Sequence, residues 1–105
     1  MLKRMVKSIF GSRPKTDLKK LVAEGAWVID VRTPEEFRQG HASNSTNIPL
    51  NVLPQKMAEI KKKGLSVITI CRTGNRSGMA KNMLLQQGIT AFNGGAWQSF
   101  EQQTK

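Results

Sequence analysis

The chain has 105 residues, 17 of them Lys or Arg and 7 Asp or Glu, giving a formal net charge of +10 and a pI near 10.4. That length allows one domain with a modest core, and no run approaches the roughly 20 apolar residues of a membrane span. A single cysteine excludes an intrachain disulfide and fits a reducing, cytoplasmic compartment, while the basic balance suggests anionic partners.

Residues 1–15 form a basic arm, with Lys3, Arg4, Lys7, Arg13 and Lys15 and no acid. Leu2, Met5, Val6, Ile9 and Phe10 are spaced to share one side of a short helix, which would suit a membrane surface or an acidic partner. The stronger reading is a loose arm, part of which packs on the domain. Lys7 and Ser8 interrupt the apolar residues, so no cleavable signal peptide is expected. The domain proper is read as 16–105. Thr16 reads as an N-cap with Asp17 in the first turn. Leu18, Leu21 and Val22 make the apolar stripe of a helix that stops at Gly25. Trp27–Val31 has the length and β-branched content of a strand. Thr33, Pro34 and Glu36 form a capping box with proline at the first helical position, and that helix ends at Gly40. Residues 41–47 read as polar loop, and a very short strand is expected at Ile48, before Pro49. A helix starts near Pro54, with Leu53, Met57 and Ile60 at helical spacing, and Gly64 terminates it. Lys61, Lys62 and Lys63 read as a solvated end that complements the helix dipole. A strand over 67–70 follows, then a helix to Gln87, a short strand at Thr90–Phe92, a turn at Asn93-Gly94-Gly95, and a last helix from Ala96 to Gln103.

Short apolar strands alternating with helices predict a three-layer α/β/α domain with a mainly parallel sheet of four to five strands. In such sheets ligands bind beyond the C-terminal strand ends. Cys71 stands at the end of the 67–70 strand and is followed by Arg72, Thr73, Gly74, Asn75, Arg76 and Ser77 and then a helical pattern. Strand, tight loop and helix let successive backbone N–H groups face an anion. Their field, with Arg72 and Arg76, favours thiolate at Cys71. Buried cysteines more often pack as small hydrophobes, but the glycine, two arginines and strand-to-helix context argue for a reactive one. Asp30 and Arg32 lie near the same sheet edge as supporting residues, and pairing with each other is as good a reading as any direct chemistry.

Several segments together resemble the rhodanese family of single-domain sulfurtransferases. They are Asp30-Val31-Arg32 with Pro34-Glu35-Glu36-Phe37, Gly40-His41 with Asn47-Ile48-Pro49, the 71–77 loop, and Gly94-Gly95 with Trp97. The resemblance covers about residues 16–100. Ala42-Ser43-Asn44-Ser45 stands where members often read Ile-Pro-Gly-Ala, a replacement expected to loosen that loop. The family's usual first strand would lie near residues 9–13 or be absent, and Trp97 follows the glycine pair more closely than in many members. The resemblance implies that Cys71 takes a sulfane sulfur from thiosulfate or a similar anion. Arg76 and Arg72 with the loop amides would hold the donor, a cysteine persulfide would form, and an external thiol or protein acceptor would receive the sulfur. It implies a structural role for His41 and no metal or organic cofactor.

Two other classes compete. A cysteine phosphatase or arsenate reductase places its arginine six positions after the cysteine, whereas here Arg76 comes at five and Ser77 at six. A non-enzymatic persulfide carrier or docking domain would need the same Cys71. The lysines are scattered and no aromatic stacking platform is legible, so no specific nucleic-acid partner is expected. The chain is read as a monomer.

Overall fold

A computed structural model describes residues 16–105. Four strands, β1 (Trp27–Asp30), β2 (Thr46–Asn47), β3 (Val67–Cys71) and β4 (Ala91–Ala96), pair in the order β2-β1-β3-β4, and every pairing is parallel. Parallel neighbours cannot be joined by tight hairpins, so helices supply the crossovers. These are α2 (Pro34–Arg38), α3 (Leu53–Lys63) and α4 (Asn75–Gln86), with α1 (Leu18–Ala23) before the sheet and α5 (Trp97–Thr104) after it.

β1 and β3 lie in the middle of the sheet, and their apolar, β-branched residues are buried on both faces. Alternation along each strand sorts them. Ile29 and Val67 face Leu53, Ile60, Ala80 and Leu84 from α3 and α4. Val28, Ile68 and Ile70 face Phe100 of α5 and Leu18, Leu21 and Val22 of α1. Two cores separated by one sheet give the three-layer architecture expected from the alternating elements.

The helix starts follow local chemistry. In α2 the Thr33 hydroxyl accepts the Glu36 N–H and Glu36 accepts the Thr33 N–H, so the capping box is closed. α3 ends at Gly64 with φ +68°, beyond three exposed lysines. The cap of α1 is Asp17, which accepts the Lys20 N–H at 3.1 Å, and Thr16 lies outside it. Both residue types can cap, and only the carboxylate reaches the free amide.

Three further expectations need correction. The strand expected at Ile48 lies just before it, where Thr46 and Asn47 pair with Ile29 and Asp30. The 41–45 loop is pinned rather than loosened: Ser43 donates its N–H and its hydroxyl to the Glu101 carboxylate at 2.9 and 3.0 Å, and Ser45 donates to the Ala42 carbonyl at 2.6 Å. Asn93-Gly94-Gly95 is not a turn but the middle of β4. Asn93 is level with Thr69 and Gly95 with Ile70, so Gly94 is the extra residue of a bulge. A Cβ on Gly94 would lie 2.8 Å from methyls of Ile68 and Ile70 and 3.0 Å from the Thr69 carbonyl. Glycine is there for close approach of two strands. The strand expected near residues 9–13 lies outside the described residues. Among the described residues no helix is long and apolar enough to cross a membrane.

Candidate active site

Cys71 is the last residue of β3 and is fully buried. Arg72 and Thr73 follow as exposed loop residues, and Gly74, with φ +102°, is the N-cap of α4. A side chain would strain that backbone conformation. Glycine there turns the chain so that the first amides of α4, which have no acceptor within the helix, point back at the sulfur. Gly74 donates its N–H to Cys71 Sγ at 3.0 Å and Ser77 donates its N–H at 3.3 Å. The thiol donates to Ser77 Oγ at 3.3 Å.

Burial pushes the Cys71 thiol up. The Ser77 hydroxyl and the amides of Ser77, Gly74 and Thr73 outweigh burial, and the net pKa lies below the ordinary 9.0. Each of those groups stabilises the charged form more than the neutral one. The loop therefore does for sulfur what a helix N-terminus does for any anion.

Arg76 lies in the first turn of α4, but its guanidinium reaches across to α2. Nη1 donates to Glu36 Oε1 at 2.7 Å and Nη2 to Oε2 at 3.0 Å. The Arg76 guanidinium, with the Thr33 amide second, holds the Glu36 carboxyl down at about 2, and Glu36 in turn raises Arg76. Arg72 is exposed and lines a cleft of about 390 Å³ together with Glu36, Gly40 and Trp97. Asn75, also exposed, opens α4.

Asp30 and Arg32 are buried against each other. Arg32 Nε donates to both Asp30 oxygens at 3.0 Å, and Nη2 donates to Asp30 Oδ2 at 2.8 Å and to the Gly40 carbonyl at 2.7 Å. Trp97 lies over the guanidinium, 4.9 Å from ring centroid to Cζ. The pair ties the end of β1 to the end of α2 and does not touch Cys71. His41 is stacked on Phe37, and its Nδ1 lies 2.8 Å from the Phe37 carbonyl.

Two hydrogen-bonding residues of the site escaped the sequence reading. Thr69, buried in β3, donates its hydroxyl to the Ser77 carbonyl at 2.8 Å and so holds the first turn of α4 against the strand. A hydroxyl inside an apolar strand was the available signal. Asn93 accepts from the Ser77 hydroxyl at 2.7 Å and from the Gly95 N–H at 2.9 Å, and donates to the Gly74 carbonyl at 3.1 Å. Reading Asn93 as part of a turn hid it. Among the described residues no group of three or more His, Cys, Asp or Glu is placed to hold a metal ion.

Fold and loop together define a parallel α/β domain with a cysteine held in a cradle of backbone amides at the C-terminal edge of its sheet. The chain belongs to the rhodanese-like domain family, whose model matches residues 14–102. It is 38% identical over 65 residues to a sulfurtransferase of Allochromatium vinosum, covering 62% of this chain and 60% of that protein. It is 38% identical over 63 residues to thiosulfate sulfurtransferase PspE of Escherichia coli, covering 59% and 61%. The chain thus spans about 60% of the length of these curated relatives. Among solved structures it is similar to a rhodanese-related protein of Thermoplasma volcanium, with a TM-score of 0.70 at 30% identity over 86% of this chain and 92% of that one. It is also similar to a rhodanese with anions from E. coli, with a TM-score of 0.64 at 33% identity over 70% and 89%.

Proposed function

We propose that the protein is a sulfurtransferase that moves a sulfane sulfur from thiosulfate, or a donor of the same charge and shape, to a thiophilic acceptor through a persulfide on Cys71. The observation that carries this reading is the convergence of the Gly74 and Ser77 amides on Cys71 Sγ, at 3.0 and 3.3 Å. The Cys71 thiolate attacks the outer sulfur of thiosulfate. The Sγ–S bond forms, the S–S bond of the donor breaks, and sulfite leaves with its electron pair. Charge is conserved, since a thiolate and a dianion give a persulfide anion and a dianion. The loop amides that favour the thiolate also favour the persulfide anion. Cyanide or a thiolate then takes the terminal sulfur and returns Cys71 as thiolate.

Arg76 has five N–H donors, of which Glu36 takes two, leaving donors for an anion at the loop. Arg72 raises the local potential at the cleft. Thr73, Asn75 and Ser77 complete the anion-facing loop. Asp30 and Arg32 support it by fixing the end of β1. The description of PspE as a thiosulfate sulfurtransferase supports the choice of donor.

The test is an intact mass after incubation with thiosulfate. Wild type gains one sulfur, about 32 Da from the persulfide chemistry, and loses it to cyanide with release of thiocyanate. Cys71→Ser gains nothing. A folded wild type that stays unmodified, or a Cys71→Ser protein that turns over, overturns the proposal.

A further inference from the structure

We propose that Asn93 is the positioning residue of the reactive cysteine, fixing the direction of the Ser77 hydroxyl and clamping the 71–77 loop to the bulge of β4. The amide has only one orientation that fits its backbone neighbours. The Gly95 N–H can only donate, so the atom 2.9 Å from it is Oδ1, and the Gly74 carbonyl can only accept, so the atom 3.1 Å from it is Nδ2. Oδ1 therefore faces Ser77 Oγ at 2.7 Å. Oδ1 has no proton, so Ser77 must give its own. That leaves the lone pairs of Ser77 Oγ for the Cys71 thiol, 3.3 Å away.

The chain of donors thus runs from thiol to Ser77 to Asn93. Ser77 has a single hydroxyl proton, and it cannot serve Asn93 and a thiolate at once. When Cys71 ionises, the hydroxyl turns to the sulfur and Asn93 Oδ1 keeps only the Gly95 N–H. Asn93 therefore sets how strongly Ser77 can stabilise the thiolate. Through Nδ2 it also holds the carbonyl of Gly74, whose own N–H donates to the sulfur. The bulge makes this reach possible, because the extra residue Gly94 separates the pairing of Asn93 from that of Gly95.

The charged groups around the sulfur are Arg72 next to it in the chain, the Arg76–Glu36 pair across the loop and the buried Asp30–Arg32 pair at the end of β1. None of them hydrogen-bonds Asn93, so substitutions at 93 leave them in place. The inference adds to the sulfur-transfer reading a residue that tunes its nucleophile, but its test measures the thiol directly and needs no sulfur donor.

The experiment is the rate of Cys71 alkylation by iodoacetamide against pH in wild type, Asn93→Asp, Asn93→Ala, Ser77→Ala and the two double variants. Asn93→Asp is isosteric at an exposed position, retains both accepted hydrogen bonds, loses the one donated to the Gly74 carbonyl and grips the Ser77 proton harder. It is expected to raise the thiol pKa by at least one unit, a tenfold loss of thiolate at fixed pH. In the Ser77→Ala background the same change raises it by clearly less, since only the added charge and the lost hydrogen bond to the Gly74 carbonyl act. Asn93→Ala is expected to shift the pKa clearly more in wild type than when Ser77 is already Ala, where only the lost hydrogen bond to the Gly74 carbonyl acts. Equal shifts in the two backgrounds, or no shift at all, overturn the proposal. Failure of thiosulfate to load a protein that shows this coupling would sink the sulfur-transfer reading and leave the role of Asn93 standing.

Discussion

Glu36 closes the capping box of α2 and, with the same carboxylate, receives both arms of the Arg76 guanidinium. Sequence spacing reveals the first role, because the cap is three residues away. It cannot reveal the second, because Arg76 is 40 positions distant and meets Glu36 only after the sheet has formed. A pH dependence follows from this pair. Arg76, then the Thr33 amide, lower the folded pKa of Glu36 from the ordinary 4.5 to about 2. A depressed carboxyl contributes stability that is fully present above the unfolded value and is lost as pH falls through the folded one. The stability gap between wild type and Glu36→Gln should therefore be constant above pH 5 and close between about 4.5 and 2. Gln is the informative substitution because it can still close the capping box. The two side chains are 30% and 34% exposed, so solvent screening holds the gap to about 1 kcal/mol. Melting curves across that pH range measure it, and a gap unchanged at pH 2 would refute the assignment.

At the scale of elements, β4 is the unusual one. Its Asn-Gly-Gly composition reads as a turn, since those residues dominate turns. In the fold the same residues serve a strand that bulges and passes very near β3. Gly94→Ala must push its methyl against Ile68, Ile70 and the Thr69 carbonyl, all of them in a strand with no freedom to yield. We expect a loss of about 1–3 kcal/mol, the usual cost of overpacking, read as a lower urea midpoint. Because the bulge carries Asn93, alkylation of Cys71 should change in the same variant. A fully stable Gly94→Ala protein would mean that the strands are not this close. The elements that were legible from sequence are those whose signal is local. β1 and β3 declare themselves by buried β-branched runs, α2 by its capping box and α3 by Gly64. Cys71, Gly74 and Ser77 were legible as one continuous stretch. Thr69 and Asn93 were not, because they join the site by strand pairing and not by neighbourhood in the chain.

At the scale of the molecule, charge and fold are unevenly divided. Five of the 17 basic residues, and none of the 7 acids, lie in residues 1–15. The family match begins at residue 14, and between them the two cores draw on β1, β3 and β4 and on helices α1, α3, α4 and α5. Removal of residues 1–13 is therefore expected to leave the melting temperature and the yield of loaded protein within error of the full chain. β4 is paired on one side only among the described residues, so the measurement has a clear contrary outcome. A large fall in melting temperature would mean that the arm adds a strand or core contact there.

The complete burial of Cys71 has a consequence for traffic at the sheet edge. Without a persulfide the sulfur of the cysteine offers solvent no surface, so bulky partners are kept from it while small reagents such as a donor anion must enter the loop to react. A persulfide bond extends about 2 Å from Sγ, and under the proposed chemistry the atom at its far end is the one an acceptor meets. The loaded chain is then open to larger partners than the unloaded one, whose sulfur only small reagents reach. Under the proposed transfer, a bulky acceptor would engage the chain that carries sulfur and pass over the one that does not.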